Sequence, residues 1–270
     1  MIKLLAVDMD GTCLDSKSVM SDDTLAALKK ANENNVTVVP TTGRNVTCLP
    51  SKIKNEDFYR YIISSNGALV VDRETDSIIF KSFISTDIAC EILKKCRRHN
   101  ILVAAHIDRD YYVQGGILYL GVKHFLKDDA PTLRCVRNLA SYIRKNNCEV
   151  EEFQFFYFGE KYRDIIKKII EPYPDVCSAH SKGYAEIYNK SGSKGNALLA
   201  LAEHLGIPDA DTACIGDEEN DKSMFGVAGT KFAMGNAIPQ IKDMADVILP
   251  TNDEDGVAFA INNYVLPEQK

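Results

Sequence analysis

"VDMDGT", residues 7–12, closes the apolar stretch "IKLLAV" (2–7) with two carboxylates one residue apart, Asp8 and Asp10. The stretch reads as a strand buried on both faces, and such strands belong to parallel sheets covered by helices. In a strand, residues i and i+2 share a side, so Asp8 and Asp10 are expected to face one place at the strand's carboxyl end. Ligands of open α/β sheets bind at that end. Two carboxylates so close repel unless a cation or a shared proton compensates them. On this pattern alone, Asp10-Gly11 is either a plain turn or part of a functional pair.

Outward from this strand the pattern alternates. "SDDTLAALKKANENN" (21–35) reads as a helix with Ser21 as its N-cap and acids in its first turn. "VTVVP" (36–40) and "YIIS" (61–64) read as strands, and "ALVVD" with "SIIF" as a hairpin around "RETD". Alternation returns after residue 186. "SKGNALLALAEHLG" (193–206) reads as a helix stopped at Gly206, "TACIGD" (212–217) as a strand, and "KFAMG", "AIPQIKDMA" and "DVIL" as strand, helix and strand. The middle differs: aromatic density rises in "DYYVQGGILYL" and "EEFQFFYFGEKY", the alternation of "EVEEFQFFYF" reads as half-exposed antiparallel strands, and helices "STDIACEILKKCRRHN" and "EKYRDIIKKIIEPYP" lie between such strands. The expected architecture is α/β: a Rossmann-like parallel-sheet core over residues 1–83 and 186–270, its helices on both faces. An α+β module is inserted at 84–185.

The 270 residues carry a net charge of −6, which argues against a nucleic-acid footprint, since that needs a basic face. No apolar run approaches a membrane span, and the opening residues reach Asp8 too soon for an export signal. The eight cysteines form no CxxC pair or ligand cluster. They are expected to be free thiols in a reducing cytoplasm. Oligomeric state cannot be read from these features.

Three further stretches carry candidate chemistry. "TTGR" after the second strand offers the Thr41 or Thr42 hydroxyl and the Gly43 amide to an anion, or it is an ordinary glycine turn. Lys194 opens a helix, where a cation is unfavourable unless an anion is present; otherwise it is a surface lysine. "GDEEND" (216–221) puts Asp217 at a strand end and Asp221 four residues on. Acids favoured in a helix's first turn explain Glu218 and Glu219, but they explain Asp217 poorly.

Together "DMDGT", "TTGR", "SKGNAL" and "GDEENDKSMF" resemble, in order and spacing, the four motifs of the haloacid dehalogenase superfamily, in its Cof-type branch. "SSNGA", "FAMGNA" and "ADVILPTNDEDGVA" (245–258) resemble that branch's non-catalytic signatures. The inserted module resembles its large cap in position and length. Where the branch has a small residue before TGR, this chain has Thr41, and Thr42 occupies the place of the phosphate-binding hydroxyl. The resemblance implies a phosphatase acting on small phosphorylated metabolites such as sugar phosphates, with Mg²⁺ as cofactor. Asp8 would be the nucleophile and Asp10 the general acid and base. Asp8, Asp10 (through its backbone carbonyl) and Asp217 would hold the metal, with Asp221 as further support. Thr42, Gly43, Lys194 and Asn220 would hold the phosphoryl oxygens. Arg44 would touch substrate or brace its loop.

Within the cap, His106, Asp108, Arg109 and Tyr112 in "HIDRDYYVQGG" (106–116) are candidates to contact the leaving group; the other reading is a solvated strand end and core tyrosines. Two alternatives share the residues: a phosphotransferase or mutase on the same core, and a non-catalytic sugar-phosphate sensor.

Overall fold

The computed structural model describes residues 1–126, 132–181 and 183–266. They form two compact units. One comprises 1–43, 50–81 and 193 onward; the other comprises 44–49 and 82–192.

Along the chain the first unit supplies β1 (Leu4–Asp8), α1 (Asp22–Glu33), β2 (Thr37–Thr41), α2 (Ser51–Lys54), β3 (Tyr61–Ser64), β4 (Leu69–Asp72) and β5 (Ile78–Lys81). The second supplies α3 (Thr86–Cys96), β6 (Leu102–Ile107), β7 (Asp110–Gln114), α4 (Gly116–Leu126), β8 (Arg134–Val136), α5 (Leu139–Asn146), β9 (Glu152–Phe156), α6 (Lys161–Ile170), β10 (Val176–Ser181) and β11 (Tyr184–Asn189). The chain returns with α7 (Lys194–Leu205), β12 (Thr212–Gly216), α8 (Lys222–Phe225), β13 (Thr230–Ala233), α9 (Pro239–Lys242), β14 (Val247–Ile248) and α10 (Gly256–Ala260).

In the first unit the described strands lie in the order β14-β13-β12-β1-β2-β3-β4-β5. Pairing is parallel from β14 to β3 and antiparallel through β4 and β5. This is the Rossmann-like core, with the expected hairpin as its antiparallel edge. β1 is central and its five residues are all buried, which is why it reads as an unbroken apolar run. Helices cover both faces: α1 packs on β2 and against α10, whereas α7 packs across β3, β4 and β5 and against α8. α1 starts where Ser21 accepts a hydrogen bond from the Thr24 amide at 2.9 Å, and α7 ends at Gly206 in the left-handed region.

The described strands of the second unit form one sheet in the order β10-β11-β9-β6-β7-β8, antiparallel except between β7 and β8. The apolar stripes of α3, α5 and α6 pack with Val103, Ala105, Phe153, Phe155, Ala185 and Ile187 in one core. A smaller cluster joins Ala104, Tyr111 and Val113 to Leu118 and Val122 of α4 and to Cys48.

Within the second unit "GILYL" forms the start of helix α4, after Gly115, at φ 90°, ends β7 and turns the chain. The second unit also extends beyond 84–185: β11 continues to Asn189 in the second sheet, and Arg44–Leu49 belongs here because Cys48 is buried in its smaller cluster.

All eight cysteines are free. Among the described residues no helix is long and apolar enough to cross a membrane.

Candidate active site

Asp8 closes β1, and Asp217 follows β12, the strand paired beside it, with Val7 opposite Ile215. Parallel pairing therefore sets two carboxylates side by side at one end of the sheet. Asp8, Asp217 and Asp221 are all buried, and one carboxylate oxygen from each lies within 4.8 Å of the others. The buried cluster fits a metal ion: every donor is a hard carboxylate oxygen.

Lys194 enters this cluster from the first turn of α7. Its Nζ lies 2.5 Å from Asp8 Oδ1 and 2.7 Å from Asp221 Oδ1, and its side chain is wholly buried. It does not have to stabilise the helix end, because Ser193 caps α7 by accepting from the Asn196 amide at 3.1 Å. Burial pushes the Lys194 pKa down, but Asp221 and Asp8 outweigh it and the ammonium is held charged. Burial raises Asp8 well above the usual carboxylate range; Lys194 opposes that, and Asp221 and Asp217 add to it. Asp217 is pushed up to about 7, by burial first and by Asp221 second. Three carboxylates face one ammonium, so the cluster is two negative charges in excess when ionised.

Asp221 is held on both oxygens. Besides Lys194 on Oδ1, its Oδ2 accepts from the Asp217 amide at 2.8 Å and the Glu218 amide at 3.0 Å. It thereby fixes the turn on which Asp217 sits.

Asp10 departs from the strand argument. β1 stops at Asp8, and the chain then curls, with the Leu14 amide donating to Met9 O at 2.9 Å and Gly11 at φ 79°. Asp10 is exposed and Asp8 is buried. Gly11 is required here twice over: its φ is left-handed, and a Cβ would sit 2.3 Å from Asp217 Oδ2.

At the end of β2 the two threonines separate. Thr41 Oγ1 donates back to Val39 O at 3.1 Å, within its own strand. Thr42 is buried, its amide bonded to Ile63 O at 2.9 Å and its carbonyl to the Asn66 amide at 3.1 Å. Asn66 Oδ1 accepts from Asn220 Nδ2 at 3.0 Å, and a Cβ on Gly43 would lie 2.9 Å from the same oxygen. Asn66 thus links the Thr42-Gly43 loop to Asn220.

Asn66 is one of three residues whose part in the site sequence reading missed; it stands there only within the non-catalytic signature "SSNGA". Thr12 is the second, its Oγ1 donating to Asp217 Oδ1 at 2.8 Å. Asn236 of "FAMGNA" is the third, reaching Gly11 O at 2.8 Å and Asp217 Oδ2 at 3.4 Å. Their occurrence in "DGT", "SSNGA" and "MGNA" was the available signal.

The remaining candidates lie in the second unit. Arg44 Nη1 donates to Cys48 O at 3.4 Å, which braces the turn after Gly43. Asp108 and Arg109, at φ 50° and 64°, are the two turn residues of the β6–β7 hairpin, a geometry that suits a two-residue hairpin loop. The Arg109 amide donates to Glu151 Oε1 at 2.7 Å, and Cys148 Sγ to Asp108 Oδ2 at 3.5 Å. His106 is buried edge-on to Tyr111, with its pKa pushed down to about 3 by burial. Tyr112 packs in the main core of this unit, its hydroxyl 2.8 Å from that of Tyr142.

A Rossmann-like sheet with a lysine-bridged carboxylate cluster at its strand ends defines a haloacid dehalogenase-type hydrolase core. The chain belongs to the haloacid dehalogenase-like hydrolase family, whose profile matches residues 5–261. It is 30% identical over 286 residues to phosphatase YwpJ of Bacillus subtilis (strain 168), covering 98% of this chain and 100% of that one. It is 28% identical over 291 residues to the 5-amino-6-(5-phospho-D-ribitylamino)uracil phosphatase YwtE of the same organism, covering 98% of each. A solved haloacid dehalogenase-like hydrolase from B. subtilis superposes with a TM-score of 0.85 at 28% identity, covering 97% of this chain and 100% of that one.

Proposed function

We propose that this enzyme is a Mg²⁺-dependent phosphatase. It hydrolyses phosphate monoesters of small metabolites, sugar phosphates foremost, through an aspartyl-phosphate on Asp8. The observation that carries this reading is Lys194 bridging Asp8 and Asp221 beside Asp217. The phosphatase names of the relatives support the reaction, and the ribityl phosphate in one of those names supports the substrate class.

Asp8 attacks phosphorus while the bond to the leaving alcohol breaks, and Asp10 protonates that alcohol. Asp10 then takes a proton from water, which attacks phosphorus and releases phosphate from Asp8. Lys194 holds one oxygen of Asp8 and so sets the rotation of the nucleophile. With Thr42, Gly43 and Asn220 it receives the phosphoryl oxygens and spreads the transition-state charge. Asp221 acts through Lys194 and through the Asp217 amide.

A divalent cation balances the two excess negative charges of the cluster, and carboxylate donors suit Mg²⁺. Asp8 and Asp217 would hold it, together with the Asp10 carbonyl. When bound, it offsets the repulsion between Asp8 and an anionic phosphate. Eight free cysteines support a reducing, cytoplasmic setting.

The test is a screen of phosphorylated metabolites for phosphate release, with Mg²⁺ and with excess chelator. Release without an added acceptor, abolished by chelator, is expected. Transfer only to a second substrate would favour a phosphotransferase. Full activity in chelator would remove the metal from the reading.

A further inference from the structure

Asn236 lies in the loop between β13 and α9, outside the four catalytic motifs. Its side-chain amide is held in one orientation. Oδ1 accepts from the Asn252 amide at 3.0 Å, so Nδ2 is left to donate on the other side. There it meets two acceptors, Gly11 O at 2.8 Å and Asp217 Oδ2 at 3.4 Å. Turning the amide over would set a carbonyl oxygen against both acceptors and an NH₂ group against an N–H. The hydrogen-bond pattern therefore decides which end is which.

The support behind Asn236 is fixed as well. The Asn252 amide sits at the start of a turn closed by a capping box, in which the Thr251 amide and hydroxyl both donate to Glu254 Oε2. Asn252 Nδ2 reaches Leu14 O at 2.8 Å. The loops after β1, β13 and β14 are thereby laced together around Asp217.

The Asp217 carboxylate is gripped from three directions. Thr12 donates to Oδ1 at 2.8 Å, Asn236 reaches Oδ2, and the Gly11 backbone packs too closely on Oδ2 to admit a Cβ. Each oxygen has one side-chain donor, which leaves lone pairs for a further partner. A carboxylate already locked in rotation loses less freedom when it takes up a cation. Groups that orient metal ligands in this way are worth roughly 10–100-fold in affinity.

We infer that Asn236 is a positioning residue for cation binding: it sets the rotation of the Asp217 carboxylate and fastens the Asp10-Gly11 turn beside it. The inference rests on the metal-dependent reading proposed above and extends it to a residue that acts through Asp217.

The experiment is a Mn²⁺ titration of the metal-stripped full chain, followed by electron paramagnetic resonance without substrate. Wild type is compared with Asn236→Ala and Asn236→Ser, neither of which can reach Gly11 and Asp217, and with Thr12→Val. Thermal midpoints are recorded without metal. The Kd for Mn²⁺ is expected to rise roughly tenfold or more in both Asn236 variants, and in the same direction for Thr12→Val. The metal-free midpoints of the Asn236 variants should stay near wild type, because Asn236 is on the surface. A lowered midpoint with an unchanged Kd means a merely structural role and overturns the inference alone. Absence of Mn²⁺ binding to wild type overturns the metal reading and the inference with it.

Discussion

The ammonium of Lys194 lies 2.5 Å from Oδ1 of Asp8, and neither side chain is open to solvent. The pair joins positions 186 residues apart and ties the start of α7 to the end of β1. A cation buried this deeply is tolerable only because Asp221 shares it, 2.7 Å away.

Replacing Lys194 with Ala leaves carboxylates buried without their counter-charge. The expected cost is about 3–5 kcal/mol of stability, with a large fall in turnover. Denaturant melts and a phosphate-release assay check both. Unchanged stability and kinetics would deny the Lys194 bridge both roles.

Asp8→Asn keeps the side chain's size and removes the nucleophile. Turnover is expected to drop by orders of magnitude while the circular dichroism spectrum stays that of wild type. Substantial activity in a pure preparation would reassign the nucleophile.

Metal-free stability should depend on pH through Asp217. Its folded pKa, about 7, stands above the ordinary value of 3.8. Between those values the folded protein keeps a proton on Asp217 that the unfolded chain has released, so the contribution of Asp217 to stability falls as pH rises, by at most about 1.4 kcal/mol per pH unit. Asp8, also raised by burial, acts in the same sense, whereas His106 and His180, lowered by burial, act in the opposite sense. The Asp217 contribution is therefore read as the difference between wild type and Asp217→Asn. Asp22, Asp72 and Asp211, whose pKa values are lowered, titrate beneath this window. A cation competes with that proton, so Mg²⁺ should raise the thermal midpoint more at pH 8 than at pH 5. An equal rise at both would contradict the burial of an ionisable Asp217.

Asn66 can be dissected with two substitutions. It sits at φ 54°, so Asn66→Ala should lose roughly 1–2 kcal/mol to backbone strain, whereas Asn66→Gly keeps that geometry. Both lose the acceptor for Asn220 and should raise KM for a phosphate ester. Steady-state kinetics beside melting curves separate the effects; a KM unmoved in both would detach Asn66 from the site.

In the second unit, Tyr112→Phe removes one hydrogen bond, to Tyr142, and should cost about 1 kcal/mol of stability. Asp108→Ala and Arg109→Ala alter the β6–β7 turn. Comparing p-nitrophenyl phosphate with the best metabolite from the screen checks whether these residues choose substrate. A larger loss of kcat/KM for the metabolite would give them that role; equal losses would confine them to the fold.

Much of this protein was legible in its sequence because the informative residues interrupt local patterns. A buried apolar strand that ends in Asp8, a helix that opens with Lys194 and a strand that closes at Asp217 each break a rule of burial or charge. Helix α1, strand β3 and the stop at Gly206 followed from capping and periodicity, which are properties of neighbours in the chain. Local pattern failed where the third dimension intervened. Period two treated Asp8 and Asp10 as members of one strand, but the strand ends at Asp8, and Gly11 turns the chain against Asp217. Only the tertiary structure could carry Cys48 into the second unit, seat Asn66 between Gly43 and Asn220, and bring Asn236 to Asp217, because hydrogen bonds between distant segments leave no periodic trace in the chain.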